Sequence, residues 1–193
     1  MQHDRDFGTT GSTASSVQGY SSLAKLLHWM IVLLVLAQFV VAILMPDIGR
    51  NTVPGPLINL HFSLGVLILV VMAIRFMFRL LYPVPLDMPG SPLWERWTAH
   101  ATHLVFYFIL LTGPFLGWAS ASAHKLPVDV FGIFVLPAIA PAKADWALAA
   151  GDIHAYMMWM LLVLIALHVA GALYHRFFRH DGVLRRMLPV RWN

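Results

Sequence analysis

The sequence predicts an all-α integral membrane protein, a four-helix transmembrane bundle with N and C termini cytoplasmic and a short periplasmic interfacial segment. Three observations predict it. Of 193 residues, 59% are apolar and only 11% are Asp, Glu, Lys or Arg, whereas a soluble domain carries roughly a quarter charged residues. A chain of this length cannot hide so much apolar surface in one core, so lipid solvates most of it. Four apolar stretches, residues 23–45, 57–81, 99–119 and 146–174, are each long enough to cross a hydrocarbon layer of about 30 Å. The basic residues are also segregated. Arg5 and Lys25, then Arg75, Arg79 and Arg96, then Arg176, Arg179, Arg185, Arg186 and Arg191 make up 10 of the 13 Lys and Arg. Four crossings put all of these on one side, which the positive-inside rule makes cytoplasmic. The net charge of +4 therefore reflects topology, and no nucleic-acid partner is expected.

The elements follow in order. Residues 1–19 hold Asp4, Arg5 and Asp6 and then a Gly/Thr/Ser-rich run. This is a flexible cytoplasmic tail, without the apolar core of a signal peptide. Residues 20–193 form one domain. Pro46, Gly49, Pro54, Gly55 and Pro56 separate the first two stretches, and Pro83, Pro85, Pro89, Gly90 and Pro92 the next two, as expected where helices stop. The apolar segment 128–142 is short and interrupted by Pro137 and Pro141, so it is expected to lie at the interface or re-enter. A fifth crossing would put either the tail or the C-terminal arginines on the wrong side.

Redox chemistry in this chain must rest on histidine. With ten His and no Cys, disulfides, iron–sulfur clusters and covalently attached haem are excluded. Ionisable groups inside spanning helices mark function by default. His154 and His168 are 14 residues apart, about 21 Å along a helix and within roughly 40° of one face. One helix thus presents two imidazoles, one near each membrane surface. His28, early in the first helix, is level with His168, and His61, early in the second, is level with His154. Two cross-bundle pairs of axial imidazoles would complete two six-coordinate haem irons between helices. A histidine-lined ion or proton pathway is the alternative, but it would ordinarily add intramembrane carboxylates or broken helices.

Neighbouring residues fit the haem reading to different degrees. Gly65 and Gly171 remove bulk near His61 and His168. Gly113 and Gly117 form a small-xxx-small face that helix packing alone explains. Arg75 and Arg79 project from the face of His61 at the cytoplasmic end. There Arg75 is suited equally to a haem carboxylate and to interfacial anchoring, and Arg79 to anchoring. His100 and His103 read as satisfied core histidines or, alternatively, as hydrogen-bonding groups near the inner haem or a quinone head group, and His175 equally as an interfacial residue or as one that holds a propionate. The tryptophans near helix ends read as an aromatic belt.

The pieces Leu27-His28-Trp29, Asn59-Leu60-His61 with Gly65, Ala99-His100 with His103, Asp152-Ile153-His154, Leu167-His168 with His175, and Leu184-Arg185-Arg186-Met187-Leu188-Pro189 carry a resemblance. Together they resemble the bacterial cytochrome b561 family, small di-haem proteins of the inner membrane. The resemblance implies two non-covalent b-type haems ligated by His28, His61, His154 and His168, exchange of electrons with ubiquinone, and superoxide as a periplasmic-side donor. The chain departs from the pattern at Ala155, where relatives often carry Glu.

Two functions from different classes follow. One is a superoxide:quinone oxidoreductase in its own right; the other is a haem b subunit that docks a partner dehydrogenase or hydrogenase. The outer connections hold Arg50, Lys125 and Lys143 against Asp47, Asp129, Asp145 and Asp152. Their net charge does not steer an anion, and only a local pairing of Lys125 with Lys143 could.

Overall fold

Each helix begins where the chain supplies a start signal. The computed structural model describes residues 19–49, 51–82 and 90–188. The tail before Gly19, Arg50, the prolines at 83, 85 and 89, and Arg191 lie outside the described residues. Helix α1 (Ser22–Leu44) is capped by Ser21, whose hydroxyl accepts from the Ala24 amide at 3.2 Å. Helix α2 (Pro56–Leu81) starts with proline at its first position, where a missing N–H costs nothing. Helix α3 (Leu93–Ala123) has Glu95 in its first turn and α4 (Asp145–Tyr174) has Asp145, both favourable to the helix dipole. All four are long and apolar enough to cross a membrane. Helix α3 starts earlier than the apolar run at 99, because Glu95 and Arg96 extend it into the polar interface.

The segment 128–142 does not cross. It forms an antiparallel hairpin of β1 (Val128–Val130) and β2 (Phe134–Leu136), with Val128 opposite Leu136 and Val130 opposite Phe134. Its turn puts Phe131 at φ 53° and Gly132 at φ 71°. The Asp129 carboxylate accepts from the Gly132 amide at 3.0 Å. Ser63 of α2, itself buried, accepts from the Phe131 amide at 2.9 Å and lies 3.0 Å from the Asp129 carbonyl. Val128 packs with Ile58, Phe62, Ala121 and Leu126, while Phe131, Ile133, Phe134 and Val135 are exposed. The hairpin thus caps one end of the bundle and turns an apolar edge outward, as an interfacial segment does.

Besides the cluster under the hairpin, two further packing clusters hold the helices among the described residues. Leu27, Ile31 and Val35 of α1, Ile68, Val71 and Met72 of α2, Ile109 and Leu110 of α3, and Met157 and Leu161 of α4 form one central cluster. Ala119 and Ala123 of α3 and Ala147 and Ala150 of α4 bring these helices close together, with Ala140 of the connecting loop packed against them. Small residues do this in lipid because association there depends on close packing rather than on hydrophobic burial. Gly151 is the tightest point: a Cβ there would lie 2.5 Å from the Ser120 hydroxyl oxygen. At the opposite, basic end the chain leaves α4 through a π-turn (His175–Arg179) and folds back. Trp29 donates to the Met187 carbonyl at 2.9 Å, and Arg179 lies 3.6 Å from Glu95.

Gly151→Ala should therefore lower the thermal midpoint in detergent, by about 1–3 kcal/mol of overpacking. Adding Ser120→Gly should recover most of the loss, and an unchanged midpoint in the single variant would show that the seam has slack.

Candidate functional site

Two histidine clusters sit at two depths, with the central apolar cluster between them. At the hairpin end, His61 of α2 and His154 of α4 face each other, ring centroids 6.2 Å apart and planes at 85°. The His154 Nδ1 donates to the Gly113 carbonyl of α3 at 2.9 Å. That bond fixes the tautomer and leaves the Nε2 lone pair available to a metal. Pro114 follows directly and has no N–H for the helical ladder. Gly117, one turn on, lies beneath the ring, and a Cβ there would approach the His154 Cε1 and Nδ1 to 3.4 Å. The Gly113/Gly117 face is thus more than helix packing, since it seats and orients an imidazole. Gly65 faces the Gln38 side chain, and Gly171 faces open space.

At the basic end, His168 of α4 packs edge-on against His103 at 5.7 Å and Phe106 at 5.3 Å, both from α3. His28 of α1 lies within Coulombic reach of His168, His103 and Arg75. Arg75 crosses from α2 to α1, donating to the Ala24 carbonyl at 2.8 Å and hydrogen-bonding the Tyr107 side chain. The structure therefore brings His28, His103, His168 and Arg75 together. It does not bring His100 to them: that residue is exposed, and its Nδ1 donates to the Arg96 carbonyl one turn back at 2.8 Å. His175 pairs instead with Asp181, Nδ1 to Oδ2 at 2.7 Å, in the turn after α4.

The donor set fits a haem better than a bare metal ion. Among the described residues no three His, Asp or Glu side chains are close enough to share one ion. A pair of imidazoles would supply two of the six positions of an iron, and a macrocycle would supply the other four. An imidazole nitrogen binds a first-row metal at about 2.0 Å, so two across one ion put their ring centres ~6.3 Å apart. The 6.2 Å between His61 and His154 matches that span. The 5.7 Å between His103 and His168 is shorter, as for rings in direct contact rather than opposed across a metal.

The profile of the prokaryotic cytochrome b561 family matches residues 19–190. The chain belongs to the prokaryotic cytochrome b561 family. It is 30% identical over 185 residues to cytochrome b561 homolog 2 of Escherichia coli (strain K12), covering 92% of this chain and 95% of that protein. It is 31% identical over 172 residues to the probable superoxide oxidase CybB of Yersinia pestis, covering 89% and 97%. Cytochrome b561 homolog 1 of E. coli (strain K12) is 30% identical over 131 residues, 68% and 74% of the two chains. As a cytochrome b561, the chain is a multi-pass bacterial inner-membrane protein that binds b-type haem and serves electron transport.

The sequence reading passed over Gln38, whose amide meets His61, and Tyr107, which meets Arg75. A lone amide inside the apolar run of α1 was the available signal for Gln38. Because Gly117 is the floor under His154, Gly117→Leu should evict that ring. The purified variant should keep its helical circular dichroism and lose part of the haem measured by pyridine haemochrome. Full haem content would free Gly117 of this role.

Proposed function

We propose that this cytochrome b561 carries two b haems, one between His61 and His154 and one between His28 and His168. In this reading it moves electrons from superoxide on the periplasmic side to ubiquinone near the cytoplasmic side. The stacking of two histidine sites in one bundle, with an apolar layer between them, carries the reading. Haem b, held by these four histidines, would supply a reversible one-electron carrier and leave no protein-free position for dioxygen. Two superoxide anions are oxidised to two dioxygen molecules, and their two electrons, with two protons, reduce one quinone to quinol.

The chain's own residues set the conditions at each end. At the hairpin end Lys125 and Lys143 are both exposed and both in the left-handed region, at φ 61°. Lys125 occupies the position after α3 that glycine usually takes, with the Leu126 amide donating to the Ala121 carbonyl and the Lys125 amide to Ser122. The Lys143 amide donates to the Ala123 carbonyl at 2.9 Å, two residues from Lys125. Two cations are thereby held beside the end of α3, where Coulomb attraction raises the encounter rate of a small anion. At the basic end Arg75 supports the His28/His168 site and His103 packs against His168. The positive-inside rule makes that end cytoplasmic.

A second reading, a haem b subunit docked by a dehydrogenase or hydrogenase, draws on the exposed Phe131, Ile133, Phe134 and Val135 of the hairpin. The two readings separate on one pair of changes. Replacing Lys125 and Lys143 by Glu should slow reduction by superoxide in stopped flow and weaken its salt dependence, while shortening the hairpin turn should leave that rate nearly unchanged. No reduction by superoxide above free-haem background would favour the docked subunit. Cofactor count is checked separately: His154→Ala and His168→Ala should each lose one haem of two, and one haem per wild-type chain would overturn the pairing.

A further inference from the structure

The two imidazoles at the hairpin end are held by different kinds of partner. His154 donates to a backbone carbonyl, which no substitution removes. His61 has a side chain instead: the Gln38 Nε2 of α1 lies 3.1 Å from the His61 Nδ1 and donates to the His61 carbonyl at 3.0 Å. Gly65, one turn beyond His61, faces this amide, and a Cβ there would lie 3.7 Å from Nε2. The Gln38 Oε1 is buried and has no hydrogen-bond partner, a costly condition for an acceptor.

Resting on the reading that His61 is an axial ligand, we propose that Gln38 is its positioning residue, whose amide holds the ring nitrogen facing away from the iron and so sets the potential of the haem at the hairpin end. The two ends of a glutamine amide are nearly isosteric, and a half-turn exchanges donor for acceptor. With Nε2 toward the ring, His61 accepts at Nδ1 and carries its proton on Nε2. Ligation through Nε2 requires the opposite tautomer, with the proton on Nδ1. Nδ1–H then needs an acceptor, and the unpartnered Oε1 supplies it when the amide turns. The turn gives up the bond to the His61 carbonyl, so it is favoured only when the proton sits on Nδ1. A partner that accepts from Nδ1–H makes the imidazole a stronger electron donor to the metal. Stronger donation stabilises the oxidised iron and lowers the potential.

The test is a redox titration of the purified, haem-loaded full chain, with electron paramagnetic resonance to tell the two low-spin sites apart. Gln38→Leu, which removes the acceptor, should shift the hairpin-end potential upward and leave the other haem unmoved. Gln38→Met, an unbranched apolar replacement close in length to glutamine, should shift it the same way and serves if the Leu variant does not fold. Gln38→Glu, a stronger acceptor, should shift it downward. A pure packing role would move Leu and Glu in the same direction or move neither, and either result overturns the proposal. His61→Ala keeps this failure distinct from that of the site itself. If that variant retains both haems, the ligand assignment falls, and the role of Gln38 with it. If it loses one haem while the Gln38 variants keep the wild-type potential, only the role of Gln38 falls.

Discussion

The structure depends on one constraint: an imidazole inside lipid has two nitrogens, and neither can look to water for a partner. Unsatisfied polar groups in hydrocarbon cost several kcal/mol each. At the hairpin end the bundle meets this with a hydrogen-bonding group at the depth of each imidazole. The Gly113 carbonyl, one residue before Pro114, accepts from His154. The Gln38 amide reaches across from α1 to His61. Ring-edge contacts from His103 and Phe106 surround His168. Glycine at 117 makes room for the His154 ring, because a Cβ there would already be in contact with it at 3.4 Å and a longer side chain would press on it. Between the two clusters, the buried residues that meet from all four helices are apolar and form the central cluster.

Closing the ends of the bundle is a second requirement. Helix termini leave backbone groups unpaired, and here the chain covers both ends with its own turns. At one end Ser63 ties α2 to the hairpin, and Ser122 accepts from the Ile139 amide at 3.2 Å, anchoring the strand's exit to α3. At the other, Trp29 takes the Met187 carbonyl, Asp181 pairs with His175 and accepts from the Val183 amide, and Glu95 meets Arg179. These polar contacts involve residues that apolar patterning treats as breaks or interface anchors. They fix the tilt and depth at which the four histidine-bearing faces meet.

What could be read in advance follows from this division. The spans, the side-to-side charge asymmetry and the phase of His154 with His168 are one-dimensional properties of single helices, so composition and periodicity expose them. The level of His28 with His168 and of His61 with His154 followed from counting residues along an up-and-down bundle. Contacts between helices do not have a period. Gln38 meeting His61, Arg75 reaching Ala24 and Tyr107, and His103 lying against His168 while His100 faces outward depend on helix rotation, which side-chain packing sets. The hairpin was legible as a segment that does not span, but its strands were not. Three-residue strands leave almost no alternation to detect, and the turn places Phe131 in a conformation that sequence propensity disfavours.

The asymmetry between the two ends bears on direction in the proposed electron path. At the hairpin end the imidazole pair is tightly framed by α3 glycines and capped by a hairpin, with two lysines beside the cap. Such a mouth suits a small anion that only has to approach a cofactor edge. At the basic end the histidine cluster is broader, drawn from α1, α3 and α4, and roofed by Arg75 rather than by a strand. Phe106, Tyr107 and Trp29 line it with flat apolar surface, and exposed leucines of α1 lie nearby, Leu23 and Leu26. A lipid-soluble ring arrives laterally through such a surface and needs no charge steering. The end with the cations and the lid therefore suits a charged donor from water. The end with the aromatic flank suits an apolar acceptor from the bilayer, and the central apolar layer opposes passage of the charged donor toward it.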